Sequence, residues 1–319
     1  MKCPDCGFNQ KYANGMRCGK CRRMFSLDPK KQKMTDGKFL AAVRRASYQG
    51  TVKFTQNQLY AAHAERAMDP KGCFWFASIM MCFMAIFVFL QGESQIAMVL
   101  VIGAIFVFGI SFIVVPPCLT PNEFESCILK WHSDKKEIEG LIKFPTLYVS
   151  PEKWHEHDIY DYGVEQILIV NRDILVDMFV LNNRHAELRM LVVAESGYPD
   201  YISSQVNRLL ADRPDLPIRL LHDTSISSTD MQTRLAKLEW LDVADHPVTD
   251  LGLKETDVYR LKQTENFRRH YDKCLIPVDT LLLTPLCNGL TACFANESTF
   301  AEEIAKGASG GESTSASFG

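Results

Sequence analysis

A chain of 319 residues can hold one sizeable globular domain with smaller parts around it. Its net charge of −3 and hydrophobic share of 47% conceal a division: residues 1–72 carry 15 Lys/Arg against 5 Asp/Glu, residues 73–115 carry Glu93 alone, and residues 116–319 carry 20 against 32. Eleven unevenly placed cysteines and an N-terminus that is polar and basic, with no apolar run before residue 73, exclude a secreted disulfide framework and point to reduced thiols.

The chain opens with Cys3-Pro4-Asp5-Cys6-Gly7, and Cys18-Gly19-Lys20-Cys21 repeats the device after eleven intervening residues. Two tight turns that each present two thiolates supply the four ligands a tetrahedral zinc ion requires. Pro4 fixes one backbone angle, and Gly7 lets the chain turn so that N–H groups can face sulfur. This pairing resembles the zinc-ribbon family over about the first 25 residues. The resemblance implies a structural Zn2+ on Cys3, Cys6, Cys18 and Cys21, with no open coordination position for chemistry. Iron in a rubredoxin-like site is the rival metal, although the gap between the pairs is short for that fold. So small a ribbon has almost no apolar core, so the metal would supply most of its folding free energy.

Residues 26–72 form a basic linker (SLDPKKQKMT) and a small helix–strand–helix unit: KFLAAVRRAS, TVKFT, then QNQLYAAHAERAM behind a Thr55 cap. Its positive charge suits anionic headgroups better than nucleic acid, which is a possible partner but not the favoured one, because the charge is dispersed and stops where the apolar run begins.

Residues 73–116 hold two charge-free runs, 73–90 and 96–115, joined by QGESQ and ended by Pro116-Pro117. A bilayer core of about 30 Å takes about 20 helical residues, so the pattern predicts a two-helix transmembrane hairpin. Lys and Arg crowd the first flank and are missing from the turn. By the positive-inside rule both termini are expected in the cytoplasm, at a bacterial inner membrane. No charged group lies inside either run, which argues for an anchor over a transport path.

Residues 120–305 change character. The expected helices are 123–142, 173–187, 199–211, 231–241, 254–263 and a closing one within 274–294. The expected strands are VEQILIV (164–170), RMLVVAE (189–195), PIRLLHD (217–223) and PVTDLGL (247–253). Near-continuous apolar strands alternating with helices predict an α/β fold, a Rossmann-like three-layer sandwich with a mostly parallel sheet. Residues 306–319 are a Gly/Ser-rich tail expected to be disordered.

Ligands of such sheets bind beyond the carboxyl ends of the strands. Those ends offer Asn171 and Asp173, Glu195 and Ser196, His222 and Asp223, and Asp250, an acidic rim that would take a small ligand, a basic partner or Mg2+. Asp, Asn and Ser are also ordinary helix caps at such places. No G-x-G-x-x-G, P-loop or G-x-S-x-G motif is present. Trp154-His155-Glu156-His157-Asp158 has metal-binding residue types but sits in a polar loop. MLVVAESGYPDYISS resembles the first strand and turn of the Toprim family, and that resemblance implies Glu195 as general acid/base. The family's Asp-x-Asp is incomplete at Asp223 and Asp250, leaving two Mg2+ ions short of a carboxylate. Three functions follow. The first is a membrane-anchored, cytoplasm-facing binding, scaffold or sensor protein, expected to be homo-oligomeric, with a protein or small-molecule partner. The second is a metal-dependent phosphoryl-transfer or nuclease-like enzyme using Glu195, Asp223 and Asp250. The third is a membrane-perturbing effector with a sensing domain.

Overall fold

The computed structural model describes residues 1–67, 71–91, 94–113, 118–134, 136–149, 163–224, 231–235, 237–243, 246–259, 261, 267, 276–296, 300 and 302–304. After the cysteine turns, helix α1 (Asp36–Ala46) starts at Thr35, whose hydroxyl accepts the Lys38 N–H. Arg44 and Arg45 lie in its last turn, where cations suit the helix dipole. Strand β1 (Phe54–Thr55) runs directly into helix α2 (Gln56–Ala67). Thr55 Oγ1 accepts the Gln58 N–H at 3.2 Å while Gln58 Oε1 accepts the Thr55 N–H at 3.0 Å, a reciprocal cap that fixes where α2 begins.

Helices α3 (Lys71–Leu90) and α4 (Ser94–Ile113) pack against one another along their length. Their contact is made by small residues. Ala85 and Ala104 are buried, and Gly103 faces Met81 so closely that an added Cβ would lie 2.7 Å from its Cε. Ser78, buried in the seam, donates its hydroxyl to the Ala104 carbonyl at 3.0 Å. Outward, Phe83 is 63% exposed, Leu90 78% and Val99 68%. Among the described residues no helix is long and apolar enough to cross a membrane; the side chains described begin at Ser78 in α3 and end at Ile105 in α4. The expected runs 73–90 and 96–115 thus form as a packed helical pair, and neither is shown as a membrane span.

The chain then returns to the core it left. Helix α5 (Pro121–Ser133) carries a full capping box between Thr120 and Glu123. Its Phe124, Ile128 and Trp131 are buried with Phe39, Phe54 and Leu59 from before the hairpin. The Phe39 and Trp131 rings lie 4.8 Å apart, and the Tyr60 hydroxyl donates to the Leu119 carbonyl at 2.9 Å. Strand β2 (Leu141–Ile142) pairs in parallel with β1 across the insertion. Residues 26–67 are thus half of a helical core, completed by chain that follows the hairpin; alone they have too few apolar side chains to bury one another.

The main sheet has four parallel strands: β3 (Gln166–Val170), β4 (Met190–Ala194), β5 (Ile218–Leu221) and β6 (Val248–Asp250), in the order β4-β3-β5-β6. The first two are buried at every position because both faces are covered. Leu168 and Val170 pack with α6 (Asp173–Val180) and the closing helix α11 (Leu283–Asn296). Ile167 and Ile169 pack on the other face with α8 (Ser203–Asp212) and α9 (Met231–Leu235), α7 being the short Arg184–Glu187. The expected α/β class with a parallel sheet is what forms.

Several expected helices are shorter. The run 123–142 stops at Ser133, where Asp134 caps it and Gly140 turns at φ +81° to feed β2. The run 173–187 breaks at Asn182–Asn183: the Asn182 amide donates to Met178 O and to Lys53 O, and Asn183 adopts φ +58°. Within 231–241 the described helix is α9, and 237–241 is not helical. Within 254–263 the described helix is α10 (Glu255–Val258). The closing helix begins only at Leu283, because 277–281 is a turn held by side-chain contacts at its one carboxylate, Asp279.

Candidate metal centre and the ion-paired rim

The four N-terminal sulfurs all lie within 4.8 Å of one another, and they are the only described group of three or more His, Cys, Asp or Glu side chains so gathered. Cys3 and Cys21 sulfurs are 3.5 Å apart, and Cys6 and Cys18 sulfurs 3.6 Å. A tetrahedral ion with metal–sulfur bonds of about 2.3 Å needs sulfurs about 3.8 Å apart, so the donors fit a metal with little adjustment. None of the four is in a disulfide.

The geometry comes from a repeat with an offset of fifteen residues. Gly7 N donates to Cys3 O at 3.0 Å and Arg22 N to Cys18 O at 2.9 Å. Cys3 N donates to Phe8 O and Cys18 N to Arg23 O, both at 2.8 Å. The bridges Lys2–Asn9 and Arg17–Met24 close the two turns alike. Gly7 sits at φ +70° and its counterpart Arg22 at φ +61°, so one copy uses the residue that suits this conformation and the other does not. Gln10 joins the copies, its amide donating to Gly15 O and Arg17 O and its oxygen accepting the Gly19 N–H. The Cys21 N–H aimed at its sulfur holds the Cys18 thiol down to about 6. Cys21 goes the other way, to about 12: the Arg23 N–H pulls it down, but burial and hydrogen bonds with the other three thiols outweigh that. A bound cation would draw all four to thiolate.

The second cluster lies where the sheet order reverses, between β3 and β5. Arg172, just past β3, reaches two carboxylates: its Nε is 2.7 Å from Asp223 Oδ2 and its Nη2 is 2.5 Å from Asp279 Oδ1. Asn171 Nδ2 and Val278 N also donate to Asp223, at 3.2 and 2.7 Å. Asp279 is wholly buried and accepts from Thr55 Oγ1 at 2.6 Å and Asn57 Nδ2 at 3.0 Å. Burial pushes its carboxyl upward, but the Arg172 charge and these donors prevail and hold it below the ordinary value. The same two charges hold the Arg172 guanidinium above its ordinary value against desolvation.

The remaining rim residues are taken up separately. Glu195 makes a two-pronged ion pair with Arg234, at 2.6 and 2.7 Å. Ser196 donates to Asp173 at 2.6 Å. His222 places Nε2 3.0 Å from Asp250 Oδ1 and Nδ1 2.8 Å from the Asp223 carbonyl, and its ring lies where a Cβ on Gly252 would fall, 2.1 Å away. Burial lowers the His222 imidazole, yet the Asp250 carboxylate raises it on balance. Glu195 faces Arg234, Asp223 shares Arg172 with Asp279, and Asp250 faces the His222 imidazole, and the described residues contain no acidic cluster of the kind Mg2+ would require. Residues 154–158 lie outside the described residues. Sequence reasoning passed over Arg234 and Asp279. The signal for Asp279 was present: it is the lone carboxylate in the apolar stretch IPVDTLLL.

No protein-family model, no curated protein and no solved structure matches this chain.

Proposed function

We propose that this chain is a membrane-anchored binding protein without catalysis of its own, stapled by a structural Zn2+ on Cys3, Cys6, Cys18 and Cys21. Its hairpin α3–α4 is the anchor, and its cysteine turns and α/β body both face the cytoplasm. The observation that carries this reading is the hairpin's outer surface. Fourteen large apolar side chains between Ile79 and Ile105 are each more than two-fifths exposed. At roughly 1.5–3 kcal/mol for full burial of each, covering them with lipid is favourable by on the order of 20 kcal/mol. Soluble monomers rarely leave so continuous an apolar patch in water. The basic flank at residues 1–72 and the uncharged turn orient the hairpin. Ion pairing of Glu195, Asp223 and Asp250 favours binding over metal-dependent phosphoryl transfer.

The test is fractionation of expressing cells followed by sodium carbonate washing and metal analysis of the detergent-purified protein. Retention in the washed membrane and one zinc per chain are the expected results. Release into the carbonate supernatant overturns the anchor, and iron in place of zinc overturns the metal assignment.

A further inference from the structure

The chain places a histidine at one strand end, in Leu221-His222-Asp223, and Asp250-Leu251-Gly252-Leu253 at another. Parallel pairing of β5 with β6 brings the two together at the carboxyl edge of the sheet. His222 is 2% exposed, with Nδ1 2.8 Å from the Asp223 carbonyl oxygen and Nε2 3.0 Å from Asp250 Oδ1. A carbonyl and a carboxylate only accept hydrogen bonds, and a neutral imidazole has one N–H to give. Either neutral tautomer therefore sets a ring lone pair against an oxygen in a site closed to water, whereas the imidazolium satisfies both partners.

The ring also holds backbone in place. It fills the space that a Cβ on Gly252 would need. The Leu253 N–H donates to the His222 carbonyl at 3.0 Å, and the Gly252 N–H donates to Asp250 Oδ1 at 2.8 Å. The turn so tied buries Leu251 and Leu253 in the core they share with α6 and α11. Loss of the ring proton leaves Asp250 facing a lone pair. Its side chain is 37% exposed, so it can turn to water, and in doing so it abandons the Gly252 N–H.

The charged groups around the ring, among the described residues, are Asp250 from β6, Asp223 on its own strand end, Arg172 and Asp279 behind Asp223, and Lys254, which acts on Asp250. Of these groups and His222, only the imidazole ordinarily titrates near neutrality. We propose that His222 is a pH-gated latch: protonated, it fastens the 250–253 turn to the end of β5, and on losing its proton it releases that turn and opens the β5–β6 corner of the rim beside Asp223. Ligands of parallel sheets bind at such strand ends, so the latch would govern access there. It draws on neither the anchor nor the metal.

The experiment uses the full-length, zinc-loaded protein in detergent, with histidine labelled at Cε1 for NMR and amide hydrogen exchange followed at pH 6 and pH 9. The signal lost in H222Q identifies His222. That signal is expected to report the imidazolium at pH 6. Between pH 6 and pH 9, protection of the Gly252 and Leu253 amides, corrected for intrinsic exchange, should fall about tenfold or more, while the Ile167 amide, bonded to Pro217 O within the sheet, keeps its protection. D250N retains the histidine and offers an amide N–H to a neutral Nε2, so its protection should change less than about twofold over the same range. A neutral His222 at pH 6, unchanged protection in wild type, equal loss at Ile167, or the same fall in D250N would each overturn the latch.

Discussion

Replacing Asp279 with Asn keeps the side chain's volume and removes the charge that Arg172, Thr55 and Asn57 converge on. Removing one member of a buried ion pair generally costs about 3–5 kcal/mol, because the other charge is left uncompensated. Here Arg172 keeps Asp223 at 2.7 Å, and its side chain is 30% exposed. The expected loss is therefore smaller, about 2–3 kcal/mol, which for a folded body of this size lowers the thermal midpoint by roughly 5–10 °C. The pH dependence has a definite sign. The folded-state carboxyl lies below its unfolded value, so its contribution is present above about pH 4 and is lost as pH falls through the folded value. Thermal unfolding of the detergent-solubilised protein should show a gap between wild type and D279N that is level from about pH 5 to 8 and narrows below about pH 4. R172M and D279N together should cost less than their sum. A neutral-pH loss under 0.5 kcal/mol, or strict additivity of the two substitutions, would refute the claim that this network holds the 277–281 turn to α2 and the sheet.

Three further outcomes are expected. The His222–Asp250 pair works in the opposite direction. A raised imidazole stabilises below about pH 6.5 and loses that effect as pH rises through the folded value, so D250N should cost about 0.5–1 kcal/mol at pH 6 and little at pH 9, by denaturant titration. R22G should strengthen the metal site, and G7A should weaken it, each by about 1 kcal/mol in competitive chelator titrations, since φ near +60° penalises any side chain and nothing within 4 Å of Gly7 compensates. Stripping the metal with a strong chelator should expose residues 1–25 to protease while the core around β3–β5 stays resistant, and cobalt substitution should give the intense visible bands of a tetrahedral thiolate site; wholesale collapse of the α/β body would contradict the separation of the two cores.

Sequence alone was enough wherever the determinant is local. Paired Cys-x-x-Cys turns, the Thr55 cap, the apolar runs of α3 and α4 and the β-rich strands at 166–170, 190–194 and 218–221 are specified by neighbours a few residues apart. Helix lengths were less legible, since Asn182 ends one by bonding Lys53, 129 positions away. The rim residues were found but not their condition: Glu195, Asp223 and Asp250 carry the same side chain chemistry paired or unpaired, and only the folded chain brings Arg234, Arg172 and His222 to them. The joining of chain before and after the hairpin into one core was likewise invisible. It depends on α3 and α4 returning the backbone to its starting point, so that Phe39 meets Trp131 and Thr55 meets Asp279 across 224 positions.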